Sequence, residues 1–154
     1  MRQAIVAGSI AVAALNLAPG LAGLLLWYTD LPEGGAARAF WLLLRIGQGA
    51  ALGLAIAVGS LALAGHTSSE SLFYLYSLLP LAVAFVAEQL RAISAQTILD
   101  QRGLADARAV GGLPEGEQHA LVAGILRREM GVMALSALVV VFLALRAAGT
   151  AHGF

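Results

Sequence analysis

Charged and amide side chains stand in this sequence where long apolar segments begin or end, and they are its best candidates for chemistry. The set is Arg45, Gln48, Glu88, Gln89, Arg91, Arg127, Arg128 and Glu129. In a low dielectric a carboxylate gains much more from pairing with a guanidinium than it does in water, and either group is costly to leave unpaired. We expect Glu88 to pair with Arg45 or with Arg127. Glu129 is expected to pair with Arg91.

Two interpretations of this set stay open. In the first, the side chains set the topology, reach the lipid headgroups and hold the helices together. In the second, they form a polar vestibule that accepts an ion, an anionic solute or a lipid headgroup, with Glu88 and Gln48 deepest. Asn16 lies inside a different apolar segment. It is either a hydrogen-bonding residue between helices or a contact for the same ligand in mid-membrane.

Other kinds of site find little support in the sequence. The chain has no cysteine, which excludes a disulfide, a thiolate metal site and a thiol nucleophile. His66, His119 and His152 lie outside the apolar segments without the spacing of metal ligands on one helix face. Phosphate-binding Gly-Lys motifs and Gly-x-Ser-x-Gly elbows do not occur. We therefore predict no metal and no cofactor.

The composition places the chain in a membrane. Hydrophobic residues make up 60% of it and charged residues 12%, with a mean hydropathy of +0.85. Soluble domains carry about 25% charged residues. Nine Arg balance nine acidic residues without any Lys, so no basic surface suggests a nucleic-acid partner. Arg without Lys, together with abundant Ala, Gly and Leu, is typical of a GC-rich genome and favours a bacterial inner membrane.

The apolar segments predict an all-α protein, an integral membrane four-helix antiparallel transmembrane bundle in a single domain. At about 1.5 Å per residue, each segment is close to or above the length needed to cross about 30 Å of hydrocarbon. A cleaved secretory signal is the competing interpretation of the first segment, but the apolar run is too long and lacks a convincing cleavage site. The spans are predicted at about 4–27, 40–65, 68–92 with the helix continuing to about 101, and 128–147, with a cytoplasmic loop at about 103–117.

The third span carries the clearest local signals. Thr67-Ser68-Ser69-Glu70 has the form of a capping box, which predicts a helix start at about Ser68. Pro80 removes one backbone hydrogen bond and predicts a kink. Gly103 is a plausible helix stop. A loop is predicted at 29–38, and an amphipathic lead-in at 119–126 precedes the fourth span.

Small residues on the second span predict close helix packing. Gly49 and Gly53 form a GxxxG pair, and Ala57 follows one turn later. The partner of this face is either another helix of the chain or another molecule, so we expect a homo-oligomer or a partner membrane protein. The short connection at 65–67 makes the second and third spans antiparallel neighbours.

The distribution of arginine predicts the orientation. Seven Arg flank the first and third loops, whereas the opposite side has only Arg2 and Arg146. Because positive residues stay on the cytoplasmic side, those loops are predicted to be cytoplasmic and both termini of this multi-pass cell-membrane protein to be outside. The polar set described first then lies at the cytoplasmic boundary.

Similar residues recur in the two halves of the chain, and an internal repeat is one explanation. Placing Arg45 on Arg127 also places Gly49 on Gly131, and Leu17-Ala18-Pro19 resembles Leu78-Leu79-Pro80. Two duplicated helical hairpins related by an axis along the membrane normal and chance similarity both stay open. The layout of four helices with Arg at the start of the second span resembles the copper-resistance D type of membrane domain in architecture, and it implies no function here.

The leading functional prediction is a small non-enzymatic polytopic membrane protein. It would act as a conduit or binding subunit for an ion, a small solute or a lipid, in contact with the lipid bilayer. One alternative is an intramembrane enzyme acting on a lipid or isoprenoid headgroup, with Glu88 as acid or base and Arg127 and Arg128 as phosphate clamps. Another is a structural accessory subunit of a larger membrane complex.

Overall fold

A computed structural model describes residues 1–29, 34–104 and 107–152 of the chain. These residues form helices without any strand, which confirms the all-α prediction. Four of the helices are long and apolar enough to cross a membrane. The helices are α1 (Arg2–Tyr28), α2 (Gly35–Leu63), α3 (Ser71–Gln101), α4 (Ala107–Val110) and α5 (Glu115–Thr150).

The long helices exceed the thickness of a bilayer. They contain 27, 29, 31 and 36 residues. At about 1.5 Å per residue the shortest is already about 40 Å long, against about 30 Å of hydrocarbon. The predicted lead-in at 119–126 is not a separate element, because α5 is continuous from Glu115. Leu99 on α3 and Leu121 on α5 are buried although they lie beyond the charged residues of the set, so α3 and α5 pack outside the apolar spans as well.

The start of α3 differs from the prediction. The helix begins at Ser71 with Glu70 as its N-cap, and no side chain caps it. The hydroxyl of Ser68 accepts from the Glu70 N–H at 3.2 Å and donates to the His152 carbonyl at 2.8 Å. The predicted capping box is therefore wrong, because these side chains tie the connection before α3 to the C-terminal end of α5 instead.

The predicted stop of α3 is confirmed. Gly103 adopts a φ of +67°, a conformation that residues with a Cβ rarely adopt. The Leu104 N–H donates to the Leu99 carbonyl at 3.0 Å, as in a helix end closed by a left-handed glycine. Pro80 lies inside the continuous helix α3. Of the predicted connections, residues 30–33 and 105–106 lie outside the described residues.

The core consists of three clusters along the helices. One joins Leu26, Phe40, Ala87 and Met130, and a second joins Val12, Ala51 and Val140. The third brings together the first turns of α1 and α3, the last turns of α2 and the end of α5, through Ile5, Phe73, Val58 and Ala151.

Helices α1 and α5 are the central pair. The apolar window of each is 44% buried, against 22% for α2 and α3. Glycine allows the close contact of α1 with its neighbours: a Cβ on Gly23 would collide with the Phe40 ring and the Ala134 methyl, and one on Gly20 with Leu138.

The predicted packing face on α2 is not used inside the chain. A Cβ added at Gly49 or Gly53 would meet no atom within 4 Å in the described structure, and Ala57 is exposed. Two partners were predicted for this face, another helix of the chain or another molecule. The first of these predictions is therefore wrong. Gly53 and Ala57 line a shallow groove of about 400 Å³ between α1 and α2.

Candidate functional site

Four of the predicted polar residues meet between α2 and α3. Nη1 of Arg45 donates to Oε1 of Glu88 at 2.5 Å and to Oε1 of Gln48 at 2.7 Å. Nε of Arg91 lies 3.2 Å from Oε2 of Glu88. The predicted pairing of Glu88 with Arg45 is confirmed. We call these four residues the Glu88 cluster.

Helical spacing explains why the cluster forms. Arg45 and Gln48 are one turn apart on α2, and Glu88 and Arg91 are one turn apart on α3, so each pair shares one helix face. Contact between the two faces then makes a network. Two guanidinium groups share one carboxylate, which leaves one net positive charge. Nε and Nη2 of Arg45 have no hydrogen-bond partner within the described ranges.

The cluster lies at the surface of the bundle. The side chains of Arg45, Glu88 and Arg91 are 51%, 28% and 33% exposed. The guanidinium of Arg91 also lies 5.5 Å from the centre of the Trp41 ring, a cation–π distance. Trp41 in turn meets Phe40 edge to face at 5.0 Å. Arg91 is thus held between a carboxylate and an aromatic ring, close to the surface of the bundle.

Of the two partners predicted for Glu88, Arg45 forms the salt bridge. Arg127 contacts Trp27 on α1. Its Nε donates to the Trp27 carbonyl at 3.1 Å, and its guanidinium lies 5.7 Å from the centre of the Trp27 ring. The carbonyls of a last helical turn lack partners within the helix, and Arg127 provides one for the end of α1. This contact joins α5 to α1.

The predicted pair of Glu129 with Arg91 is also wrong. Arg91 binds Glu88 one turn before it on the same helix. The Glu129 carboxylate faces the charges of Arg91 and Glu88, but it forms no salt bridge with any described residue. Gln89 is exposed, and its side chain makes no hydrogen bond in the described part of the chain.

Arg128 lies with Arg127 and Trp27 in a groove of about 630 Å³ between α1 and α5. Arg128 is exposed and has no hydrogen bond, ion pair or ring contact with the described residues. Trp27 packs over Gly131, where a Cβ would lie 3.2 Å from its ring. We call this the Trp27 groove, and its lining residues are Leu24, Trp27, Gly124, Arg127, Arg128, Gly131, Val132 and Leu135.

Asn16 lies away from both sites, inside the bundle. It is 1% exposed, and its Nδ2 donates to the Val12 carbonyl at 2.9 Å and to the Gly47 carbonyl at 3.2 Å. A Cβ on Gly47 would collide with the Asn16 amide. Of the two interpretations of Asn16, the structure favours the hydrogen bond between helices, because both amide hydrogens already have acceptors.

Matched positions of the possible repeat make matched contacts. Trp27 and Glu88 each stand eight residues after the proline of their helix. Arg45, from α2, contacts Glu88, and Arg127, at the matched position of α5, contacts Trp27. The two contacts thus occupy matched positions in the α1–α2 and α3–α5 hairpins, and duplication and chance similarity both stay open.

A further polar network, which was not predicted from the sequence, lies at the other end of the bundle. Nε of Arg2 donates to the Ala151 carbonyl at 3.0 Å, and its Nη2 lies 3.3 Å from Nδ1 of His152. The hydroxyls of Ser68 and Ser69 donate to the His152 carbonyl at 2.8 and 3.3 Å. Local sequence spacing carries no signal for contacts between residues so far apart in the chain.

The tryptophans were also missed as partners of arginine. Both stand near the ends of apolar segments, where amphipathic rings are favoured, and this position was the available signal. Within the described ranges, His, Cys, Asp and Glu side chains form no group of three that could hold a metal ion. Comparison with protein families, curated proteins and solved structures found no match to the chain.

Proposed function

We propose that the chain is a multi-pass protein of the cell membrane whose four long helices cross the bilayer in alternating directions. The core clusters support this arrangement. Ile5 and Leu26 lie in different clusters at the two ends of α1, and Phe40 and Val58 lie in the same two clusters in reverse order on α2. The excess of Arg at the Leu26 end supports a cytoplasmic location for that end.

Cysteine labelling tests this topology, because the natural chain has no Cys to interfere. Arg102→Cys and Thr67→Cys place a thiol at exposed positions in the two opposite connections. An impermeant maleimide added to intact cells should label Thr67→Cys, and it should label Arg102→Cys only after permeabilisation. The reverse pattern would place both termini inside and would overturn the orientation.

The function that the geometry supports best is binding of an anionic ligand at the cytoplasmic boundary, by a non-enzymatic subunit. The observation that carries this proposal is that Arg45 and Arg91 share the Glu88 carboxylate while Nε and Nη2 of Arg45 have no hydrogen-bond partner in the described ranges. Arg45 keeps donors available for a ligand. Unpaired guanidinium donors at a membrane boundary favour phosphate or carboxylate groups.

Binding has more support than conduction through a single chain. A conduit needs polar groups available along its length, and the amide hydrogens of Asn16 in mid-bundle are taken by backbone carbonyls. The enzyme alternative has less support as well, because both oxygens of Glu88 already form salt bridges with guanidinium groups. To act as an acid or a base, the Glu88 carboxylate would have to break these salt bridges.

Two substitutions that remove opposite charges test whether the ligand is an anion. A Trp27→Phe background leaves Trp41, which lies next to Arg91, as the only tryptophan to report binding. Protein in phosphatidylcholine nanodiscs is titrated with glycerol phosphate while the emission of Trp41 is followed. Arg45→Gln should weaken binding, and Glu88→Gln should strengthen it, because it removes the competing carboxylate.

The control is Arg102→Gln, an arginine outside the cluster, which should leave the titration unchanged. Opposite shifts, with Glu88→Gln weakening binding and Arg45→Gln strengthening it, would indicate a cation in place of an anion. Identical titrations for all three variants would remove the Glu88 cluster from the function.

A second candidate, a structural accessory subunit or oligomer, is favoured by the open face of α2. Gly49 and Gly53 can admit a backbone closely, and no described residue covers them. A Gly49→Cys variant should form a disulfide-linked dimer in membranes if this face meets its copy. Leu63→Cys, at a position 93% exposed near the end of α2, is the control and should stay monomeric.

A further inference from the structure

A layer of small side chains crosses the bundle between two of the core clusters. Each long helix contributes one buried residue, and the four are Ser9, Ala55, Ser77 and Ala147. We call them the serine layer. On each helix the layer residue stands between a residue of the third cluster and one that belongs to, or packs against, the second. The four residues therefore lie at one level of the bundle.

The two serine hydroxyls of the layer are buried without a hydrogen-bond partner. Ser9 is 0% and Ser77 2% exposed, and Oγ of neither forms a hydrogen bond with any described residue. Buried hydroxyls in proteins usually bond to the protein or to an ordered water, because an unpaired one loses its hydration without compensation. The hydroxyl of Ser136, in contrast, donates to the Met133 carbonyl of its own helix at 2.8 Å. The hydroxyls of the layer thus point to a partner from outside the chain.

The surroundings of the two hydroxyls leave space between the helices. Ala55 and Ala147 are buried, yet neither belongs to any of the three core clusters of the described structure. The neighbouring third cluster has larger side chains on the same helices, among them Ile5, Val58 and Phe73. Methyl and hydroxymethyl groups at the next level fill less of the interior than those side chains do.

A third polar group comes from the backbone of α3. Pro80 is buried and has no N–H, so the Tyr76 carbonyl lacks the donor that a regular helix would provide. This carbonyl belongs to the peptide bond that precedes Ser77. Because Ser77 and Pro80 are one turn apart on the same buried face, the carbonyl and the Ser77 hydroxyl lie close together. Two hydroxyls and one carbonyl make about three partners, the usual number for a buried water molecule.

A neutral ligand suits this layer better than an ion. Residues 3–29 and 71–87 carry no charge. Arg146, next to Ala147 in the sequence, is exposed, and its guanidinium lies 5.4 Å from the centre of the Tyr76 ring. A cation in the layer would have no carboxylate to balance it, and an uncompensated charge inside a protein is costly. Water needs no counter-charge, and it both donates and accepts.

We propose that an ordered water molecule binds in the serine layer and bridges Ser9 and Ser77. It donates one hydrogen to the Tyr76 carbonyl and the other to one serine hydroxyl, and it accepts from the second hydroxyl. The bridge connects α1 to α3, which pack against α2 and α5 more than against each other. This inference goes beyond the anion site at the Glu88 cluster, because it uses uncharged residues at another level of the bundle.

A double-mutant cycle tests whether the two hydroxyls share one water. Ser9→Ala and Ser77→Ala each remove one partner of the water, and each should lower the midpoint of thermal unfolding in micelles by about 3 °C, as expected for one buried hydrogen bond. The double variant should unfold at about the same temperature as the less stable single variant, because the first substitution already loses the bridge. Ser136→Ala is the matched control, and its effect should simply add to that of either serine.

Solid-state NMR of the isotope-labelled protein in phosphatidylcholine bilayers detects the water directly. Magnetisation transferred from water protons should reach the resonances of Ser9 and Ser77, although both lie inside apolar helices. It should not reach Ser136, whose hydroxyl bonds within its own helix. Ser9→Ala should lower the transfer to Ser77 by at least half, and Ser77→Ala should do the same to Ser9.

Three outcomes would overturn the proposal. Higher unfolding midpoints in both alanine variants would mean that the hydroxyls stay unpaired in a core without water. Small additive losses without water transfer would mean that each serine bonds to a carbonyl of its own helix. Transfer to Ser77 that is unchanged in Ser9→Ala would exclude a shared water. None of these measurements uses the Trp41 titration that tests the Glu88 cluster, so the two proposals can fail separately.

Discussion

Two interfaces at the arginine-rich end of the bundle use the same residue type in different ways. Between α2 and α3, Arg45 meets the carboxylate of Glu88. Between α5 and α1, Arg127 meets a backbone carbonyl and the ring of Trp27. The first arginine is held by a carboxylate, whereas the second is oriented by a carbonyl and an aromatic ring. The comparison teaches that arginines at matched positions can be held by a carboxylate in one half and by a tryptophan in the other.

The two interfaces also differ in how tightly their helices pack. The α1–α5 pair is central and depends on glycine contacts such as Gly20 with Leu138, whereas α2 and α3 are half as buried. Where helices pack tightly, dispersion and shape complementarity hold them together. Where they pack loosely, the salt bridge contributes a larger share of the contact. Substitutions can test this contrast one property at a time.

The largest expected effect comes from overpacking the tight half. Gly23→Leu would push into the Phe40 ring and the Ala134 methyl, and it should lower the free energy of unfolding by about 3 kcal/mol. Gly53→Leu is the matched control, because an added Cβ meets no atom within 4 Å there. Thermal unfolding in micelles, followed by circular dichroism, measures both. Equal losses would contradict the contrast between the two halves.

The next effect is the coupling energy of the ion pair. A double-mutant cycle of Arg45→Gln and Glu88→Gln should give about 0.5–1 kcal/mol, since partly exposed pairs contribute no more than this. High salt should reduce the coupling by screening. The unfolding free energies of the four proteins in micelles supply the cycle. A coupling near zero at low salt would mean that the loose half is not held by charge.

A smaller loss is expected when the arginine of the tight half is replaced. Arg127→Gln removes the cation–π contact with Trp27 and should lower the unfolding free energy by about 0.5 kcal/mol. Arg128→Gln, one residue further on, should leave stability unchanged, because Arg128 has no partner among the described residues. A salt-dependent loss in Arg127→Gln would reveal an ionic role.

The smallest effect is spectroscopic. With Trp41 as the only tryptophan, Arg91→Gln should shift its emission, because the guanidinium leaves the ring. With Trp27 as the only tryptophan, Arg127→Gln should shift emission in the same direction. Each single-tryptophan protein is compared with its arginine variant by emission spectra in identical nanodiscs. A shift in one pair alone would mean that only one of the two rings senses its arginine.

Much of the architecture could be predicted because it depends on local chemistry. Apolar runs broken by Arg and Glu define the four long helices, and Gly103 ends α3 where a left-handed residue is needed. The residues buried on α1 follow helical spacing and include Asn16, Pro19, Gly20 and Gly23, a pattern of small and polar residues that could have indicated the packed face. The GxxxG motif on α2 instead indicated Gly49 and Gly53, which contact no other helix in the described structure.

The partners of the charges could not be predicted. Glu88 could have met Arg45 or Arg127, and the choice depends on which helices are neighbours around the bundle, which hydropathy does not encode. Glu129 lost its expected partner because Arg91 found a carboxylate one turn away on its own helix. The Arg91–Glu88 contact lies within one helix, so it does not depend on how the other helices are arranged. It forms in place of the predicted Arg91–Glu129 contact between α3 and α5.

The amino-acid sequence by itself determined that four segments are apolar enough to cross a membrane and that arginine gathers at one end of them, because hydropathy and charge belong to residues one at a time. Only the tertiary structure decided that Arg45 would be neutralised while Arg127 and Arg128 line a groove beside Trp27. Those outcomes depend on how closely two helix faces approach, and that distance is set by glycine contacts between segments far apart in the chain.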